Sequence, residues 1–156
     1  MHRGQSGAMQ VQDDLEVLGE QECRALLERS AIGRVAVTCG ALPAIFPVNY
    51  VVHGGDIVFM TGEGTKLRAA SRNAVVAFEI DGWDPYSRSG WSVLVIGLAR
   101  ELEGPLLAEA QNLPLEPWAH GSRNHYVRLG AEMVSGRRLK RRGVQPDKAT
   151  LEGTNS

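Results

Sequence analysis

The sequence predicts a mainly antiparallel β fold with a few small helices, and three observations carry that prediction. Apolar residues recur at period two in several short stretches, such as Val35 and Val37 or Trp91, Val93 and Val95. Glycine, proline and aspartate clusters punctuate these stretches at short intervals, as in His53-Gly54-Gly55-Asp56. No series of long amphipathic helices alternates with the strands, as a parallel α/β sheet would require. About six strand-like segments result, a number that suits a barrel or a sandwich.

Residues 1–12 are polar and read as a disordered lead segment before one domain over 13–142, with a flexible tail over 143–156. Gly19 to Ser30 reads as a helix. Glu20 and Glu22 suit its first turn, Cys23, Leu26 and Leu27 share a face, and Gly33 is read as its end. Val35 and Val37 begin a half-buried strand. Ala44 to Val52 is a second, and Pro43 and Pro47 assign it to an edge or a bulge because proline cannot donate to a ladder. A tight turn at His53–Asp56 leads into the return strand Ile57–Thr61. A short helix follows Thr65, and Val75–Ile80 is a fourth strand. Asp81 to Gly90 is polar and reads as a loop. Trp91 to Leu102 is the longest strand. Pro105 opens a short helix to Gln111, and a proline-containing loop runs over 112–124. His125–Leu129 is a sixth strand that Val134–Leu139 extends or pairs with.

Composition bounds the function. The chain has 156 residues with a net charge of -1, so no global field draws it to nucleic acid or membrane. No apolar run reaches the ~20 residues of a membrane span, and no signal-peptide core is visible. The two cysteines, Cys23 and Cys39, lack any metal or redox spacing and read as reduced thiols of a cytoplasmic protein. His2, His53, His120 and His125 form no ligand pair, so no metal is expected. Ser92 has no nucleophile-elbow context. The basic run Arg137–Arg142 has no interleaved aromatic platform, which favours a solvated segment over a nucleic-acid contact.

The most informative segment is Phe59-Met60-Thr61-Gly62-Glu63-Gly64-Thr65-Lys66. A strand, a glycine loop and a helix start place backbone N–H groups around an anion-sized gap. Thr65 suits the N-cap, and Lys66 adds a full charge in a first turn where carboxylates are the usual occupants. The segment admits two readings, a phosphate site and a solvated lysine. It matches neither the Walker A loop nor the dinucleotide fingerprint.

Several stretches together resemble the pyridoxamine 5'-phosphate oxidase-like family of flavin-binding split barrels. They include Gly33-Arg34-Val35-Ala36, Pro47-Val48-Asn49-Tyr50, the Ile57–Leu67 segment, Val76–Asp81, and Gly90-Trp91-Ser92-Val93 through Gly97. Pro117-Trp118-Ala119, His125-Tyr126-Val127-Arg128 and Ser135-Gly136-Arg137-Arg138 complete the set, which spans roughly residues 15–140. The resemblance is to short members of the family. It implies a six-stranded antiparallel split β-barrel with small flanking helices. It also implies a homodimer, with cofactor in a cleft between the subunits. FMN is the cofactor implied, with the deazaflavin F420 as the alternative.

By position, the resemblance assigns Val48, Asn49 and Tyr50 to the ring or ribityl chain. Met60 and Thr61 would lie beneath the cofactor, and Thr65 and Lys66 at its phosphate. Trp91, Ser92 and Val93 would face it, from the same or the other subunit. One departure stands out: relatives often carry Arg where this chain has Met60. A thioether cannot supply arginine's bidentate phosphate fork, and Arg68, Arg88 and Arg123 are the candidate substitutes. The function implied is a flavin-type oxidoreductase that transfers hydride to a small molecule. The alternative is a non-enzymatic flavin- or haem-binding module.

Overall fold

The computed structural model describes residues 13–116 and 124–141. Eight strands and three short helices follow one another in the order β1 (Asp13–Leu18), α1 (Glu20–Arg29), β2 (Ile32–Cys39), β3 (Leu42–His53), β4 (Asp56–Gly62), α2 (Lys66–Ser71), β5 (Ala74–Asp84), β6 (Ser89–Glu101), α3 (Gly104–Ala110), β7 (Asn124–Leu129) and β8 (Met133–Arg141). All pairings are antiparallel, in the order β1-β8-β6-β5-β2-β3-β4-β7, and a further β6–β7 pairing closes six of the strands into a ring. The expected split barrel is therefore present, with β8 and β1 as an added wing.

Closure depends on how β6 divides its second edge. One edge of β6 pairs with β5 from Ser89 to Ala99. The other pairs with β8 over Gly90–Ile96 and then with β7 over Ala99–Glu101. The changeover falls at Gly97. A Cβ there would lie 1.8 Å from the Gly130 carbonyl oxygen, and the Gly130 amide donates to the Leu98 carbonyl at 3.1 Å. The chain between β7 and β8 thus crosses β6 backbone to backbone, a contact that only glycine permits.

The ring interior is filled by alternate residues of each strand. Val35, Val37, Val48, Tyr50, Ile57, Phe59, Val76, Phe78, Ile80, Val93, Val95, Val127 and Leu129 are all buried in one cluster. Phe78 reaches across to β2, where a Cβ on Gly33 would sit 2.2 Å from its ring. Gly33 is accordingly a strand residue that makes room for Phe78, and Arg29 rather than Gly33 ends α1. α1 packs Cys23, Leu26 and Leu27 into the cluster, and α2 adds Leu67. A second, smaller core forms outside the ring, where Val58 packs with Leu102 and Ala110 beneath α3.

Two further expectations are corrected, and one strand lies where the sequence reading placed no element. Asp13–Leu18 is a strand, paired with β8 over its whole length. Asp81–Gly90 is no open loop: β5 and β6 run on together through Gly82↔Trp91, Trp83↔Gly90 and Asp84↔Ser89. Each indole lies across the glycine opposite it, so a Cβ on Gly82 would meet Trp91 at 2.6 Å and one on Gly90 would meet Trp83 at 2.7 Å. Val134–Leu139 belongs to a strand of its own, β8. The segments expected to be disordered, 1–12 and 143–156, lie outside the described residues.

The prolines of β3 are explained by its pairing. β3 pairs with β2 from Leu42 to Asn49, but with β4 only from Tyr50 to His53. The Tyr50 amide points towards β2, donating to the Ala31 carbonyl at 3.1 Å. Odd-numbered amides of this stretch therefore point the other way, towards the edge that β4 leaves unpaired. Pro43 and Pro47 occupy two of those positions, where no ladder bond is lost.

Gly97→Ala tests the closure. The added methyl cannot be accommodated without moving the Gly130 backbone, and a cost of about 2–4 kcal/mol is expected from overpacking plus the lost Gly130–Leu98 bond. Chemical denaturation checks it. A change below about 0.5 kcal/mol, the scatter of ordinary surface substitutions, would show that the crossing is not tight.

Candidate functional site

The expected phosphate loop forms between β4 and α2. Gly64 takes the left-handed conformation at φ +68, and Thr65 caps the helix, its hydroxyl accepting from the Arg68 amide at 3.1 Å and donating to the Gly62 carbonyl at 2.9 Å. The Thr65 hydroxyl proton is thus already committed within the loop. α2 is only one and a half turns long, so its dipole is weak and Lys66 carries most of the positive charge. Lys66 is exposed and has no acidic partner among the described residues. It borders a cavity of about 380 Å³ with Thr38, Cys39, Gly40, Ala69 and Ala70.

The charges around Lys66 are tied to one another instead. Arg68 pairs with Glu63 at 2.9 Å and with Glu101 at 3.2 Å. His125 of β7 bonds Glu101 through Nδ1 at 2.6 Å and Glu63 through Nε2. Arg72 stands 3.9 Å from Glu101. Burial pushes the Glu101 carboxyl up, but hydrogen bonds from Arg68 and His125 outweigh it and hold the group below the usual glutamate range. Sequence spacing gave no sign of this network, because Glu63 and His125 meet only through the β4–β7 register.

The other predicted residues separate by face. Val48, Tyr50 and Val93 point into the ring and are buried. The Tyr50 hydroxyl donates to the Leu27 carbonyl at 2.6 Å, and its ring meets Phe78 edge-on at 4.8 Å. Thr61 is also buried, and its hydroxyl has no hydrogen-bond partner among the described residues. Asn49 and Met60 lie on the outer face. Asn49 donates to the Glu116 carbonyl at 3.0 Å, and Met60 stands opposite Tyr126. Of the possible substitutes for the missing arginine, Arg68 is committed to its two glutamates. Arg88 sits in the β5–β6 turn, and Arg123 lies outside the described residues.

Trp91, Ser92 and Val93 lie far from Lys66 within one chain. Thr38, beside Lys66, stands at the level of Leu98 once the β2–β5–β6 register is extended two residues. Trp91 is seven residues further along β6, about 23 Å at ~3.3 Å per residue. There it borders a second cavity of about 430 Å³ with Trp83, Arg138 and Lys140. Glu79 and Asp81 share the outer face of β5, as their spacing predicts, and Arg34 bridges them at 3.1 and 3.2 Å. Burial raises the Glu79 carboxyl, and the neighbouring Asp81 raises it further.

Comparison with known proteins places this architecture. The family model for pyridoxamine 5'-phosphate oxidase matches residues 19–138. The chain belongs to that family. The uncharacterized protein Rv0080 of Mycobacterium tuberculosis is 38% identical over 127 residues, covering 78% of this chain and 84% of that protein. The solved structure of an FAD binding protein from Mycobacterium smegmatis is 40% identical, covers 80% of this chain and all of its own, and superposes with a TM-score of 0.70. A conserved protein of unknown function from Corynebacterium diphtheriae is 30% identical, with 80% and 98% coverage and a TM-score of 0.68. Family membership agrees with the split barrel described above. No helix among the described residues is long and apolar enough to cross a membrane.

Tyr50 provides a test of its placement. Burial pushes its phenol up to about 12, and hydrogen bonding with Ser30 offsets only part of the rise. A raised phenol pKa leaves the folded state fully favoured below the unfolded value of about 10. That advantage is lost as pH climbs from about 10 through the folded value. Tyr50→Phe is expected to cost about 1–2 kcal/mol at neutral pH by orphaning the Leu27 carbonyl, and to flatten the alkaline loss of stability. Denaturation at neutral pH and near pH 11 checks it. An unchanged alkaline slope in the variant would place the titration elsewhere.

Proposed function

We propose that this chain binds a flavin nucleotide in a cleft between two copies of itself and uses it for hydride transfer to a small molecule. The observation that carries the reading is Lys66, which has no acidic partner among the described residues. Glu63, Arg68, Glu101 and His125 bond one another, yet among the described residues this lysine borders a cavity with no acidic lining. A phosphate fits that arrangement. The described residues fit the phosphate end of the cofactor, held by Lys66 and the glycine loop. A cavity of about 380 Å³ beside them takes the phosphate and ribityl portion rather than a whole flavin nucleotide.

The ring portion needs a second copy. Lys66 and Trp91 are too far apart to touch one flavin from one chain, so Trp91 and Ser92 would come from the partner. The outer face of the ring supports such an assembly. Across Ile96, Ala77, Ala36 and Ile45 it presents a continuous apolar row, and Ile45 is 67% exposed. Val75, 70% exposed, and Leu94, 37% exposed, flank the row on the same face, a pattern typical of an interface.

A bound flavin supplies the hydride chemistry, and the protein's part is binding, orientation and exclusion of water. Lys66 offsets phosphate charge, Asn49 fixes the loop carrying Glu116, and the apolar face shields the ring. The sealed Tyr50 phenol takes no part in proton transfer. Met60 in place of arginine leaves the clamp one bidentate pair poorer. That loss weighs most on the terminal monoester of FMN and less on a diester-type phosphate. The FAD binding described for the M. smegmatis relative, 40% identical, supports including FAD beside FMN and F420. Haem is the weaker reading, since both described histidines are engaged by carboxylates: His53 by Glu109 at 2.8 Å, and His125 by its two glutamates.

Absorption spectroscopy of the purified protein, followed by titration with FMN, FAD and F420, tests the proposal. Lys66→Glu is expected to weaken the tightest of these ligands by about tenfold or more with the fold intact, since a charge-assisted contact is worth about 1.5–3 kcal/mol. Equal affinity in the variant would move the phosphate away from Lys66. Light scattering should give twice the 16.9 kDa of one chain. Only monomer at micromolar concentration would defeat the two-copy cleft. Turnover with a reduced nicotinamide or reduced F420 separates an enzyme from a storage or sensing module.

A further inference from the structure

His125 stands between two carboxylates that belong to different parts of the fold. Its Nδ1 meets Glu101 at the end of β6, and its Nε2 meets Glu63 inside the β4–α2 loop. A neutral imidazole has one N–H and can donate to only one of them; the imidazolium donates to both. Arg68, on α2, also bonds Glu63 and reaches Glu101. Arg72, at the end of the same helix, faces Glu101 alone. His125 and Glu101 are each less than one-fifth exposed, so these contacts are partly shielded from water. His125 is therefore the link between the barrel wall and a loop whose next cation is Lys66.

We propose that the protonated ring of His125 is a positioning device for the Gly62–Lys66 loop, holding it ready for a phosphate, and that loss of the ring proton releases the loop. The ligand part of this rests on the flavin-nucleotide reading given above; the loop part does not. On the acid side, protonation of Glu63 or Glu101 breaks the same links. On the alkaline side, the imidazole gives up one N–H and must abandon one glutamate. Arg68 keeps a contact to both carboxylates throughout, so the loop loosens without detaching. Gly64, in the left-handed conformation, gives the loop room to move. Lys66 then loses its fixed position while keeping its charge.

The test has two arms. In the protein without added cofactor, the amide resonances of Glu63, Gly64, Thr65 and Lys66 are followed by NMR from about pH 5.5 to 9, alongside the His125 ring. The expected result is one shared titration of ring and loop that is absent in His125→Gln and in Glu63→Gln. Loop amides that titrate unchanged in both variants, or do not follow the ring, would overturn the proposal. In the second arm, the ratio of wild-type to His125→Gln affinity for FMN is measured at each pH, which cancels the titration of the FMN phosphate itself. A ratio of about fivefold near pH 6, falling towards one near pH 9, is expected. A ratio of one throughout, with FMN bound, would overturn the coupling to ligand. If wild type binds none of FMN, FAD and F420, the phosphate reading falls, and the NMR arm alone decides whether His125 holds the loop.

Discussion

Everything in this molecule depends on the way one strand shares its edge. β6 must pair with β5 along one side and with both β8 and β7 along the other. If β8 kept the whole edge, β7 would have no partner on that side, and the ring would open into a curved sheet. If β7 took it all, the wing of β8 and β1 would be lost, and with it the surface on which α1 packs. The compromise is settled over about two residues at Gly97, by backbone passing over backbone. Two hydrogen-bonding programmes meet there, and sterics rather than polarity decides the boundary.

The ring in turn sorts the chemistry. Period-two alternation sends Val48, Tyr50, Thr61 and Val93 inward and leaves Asn49 and Met60 outside. Neighbours in sequence thus end in different environments: Tyr50 is a sealed packing element while Asn49 is a loop anchor. The same ordering separates the lysine end of the barrel from the tryptophan end. In the proposed two-copy cleft, a second copy would bring these unlike ends together.

Much of this was legible in the chain. The Gly54-Gly55 turn, the Thr65 cap and the helix over Cys23, Leu26 and Leu27 follow from local rules, and local rules hold where neighbours in sequence are neighbours in space. The misreadings share an opposite cause. Gly33 reads as a helix stop, but it is kept small by Phe78, forty-five positions away. Gly82 and Gly90 read as loop residues, but tryptophans across the strand cover them. Asp13–Leu18 carries too little apolar alternation to announce a strand, and forms one because β8 offers it an open edge. The clamp on His125 is likewise set by register, which no spacing along the chain encodes.

The stretch of β3 left unpaired among the described residues has a consequence for how the protein meets its own kind. An exposed strand edge is an open template, and identical chains can extend it without limit. On this edge the outward-pointing donor positions are 43, 45, 47 and 49, and proline occupies two of the four. An incoming strand would find donors only at Ile45 and Asn49, and the Asn49 side chain is already tied to Glu116. Growth by strand addition is therefore poisoned at its first rung, and any contact on this side must be made face to face through side chains. The prolines make self-association self-terminating, which guards a β-rich chain against fibrillar polymerisation.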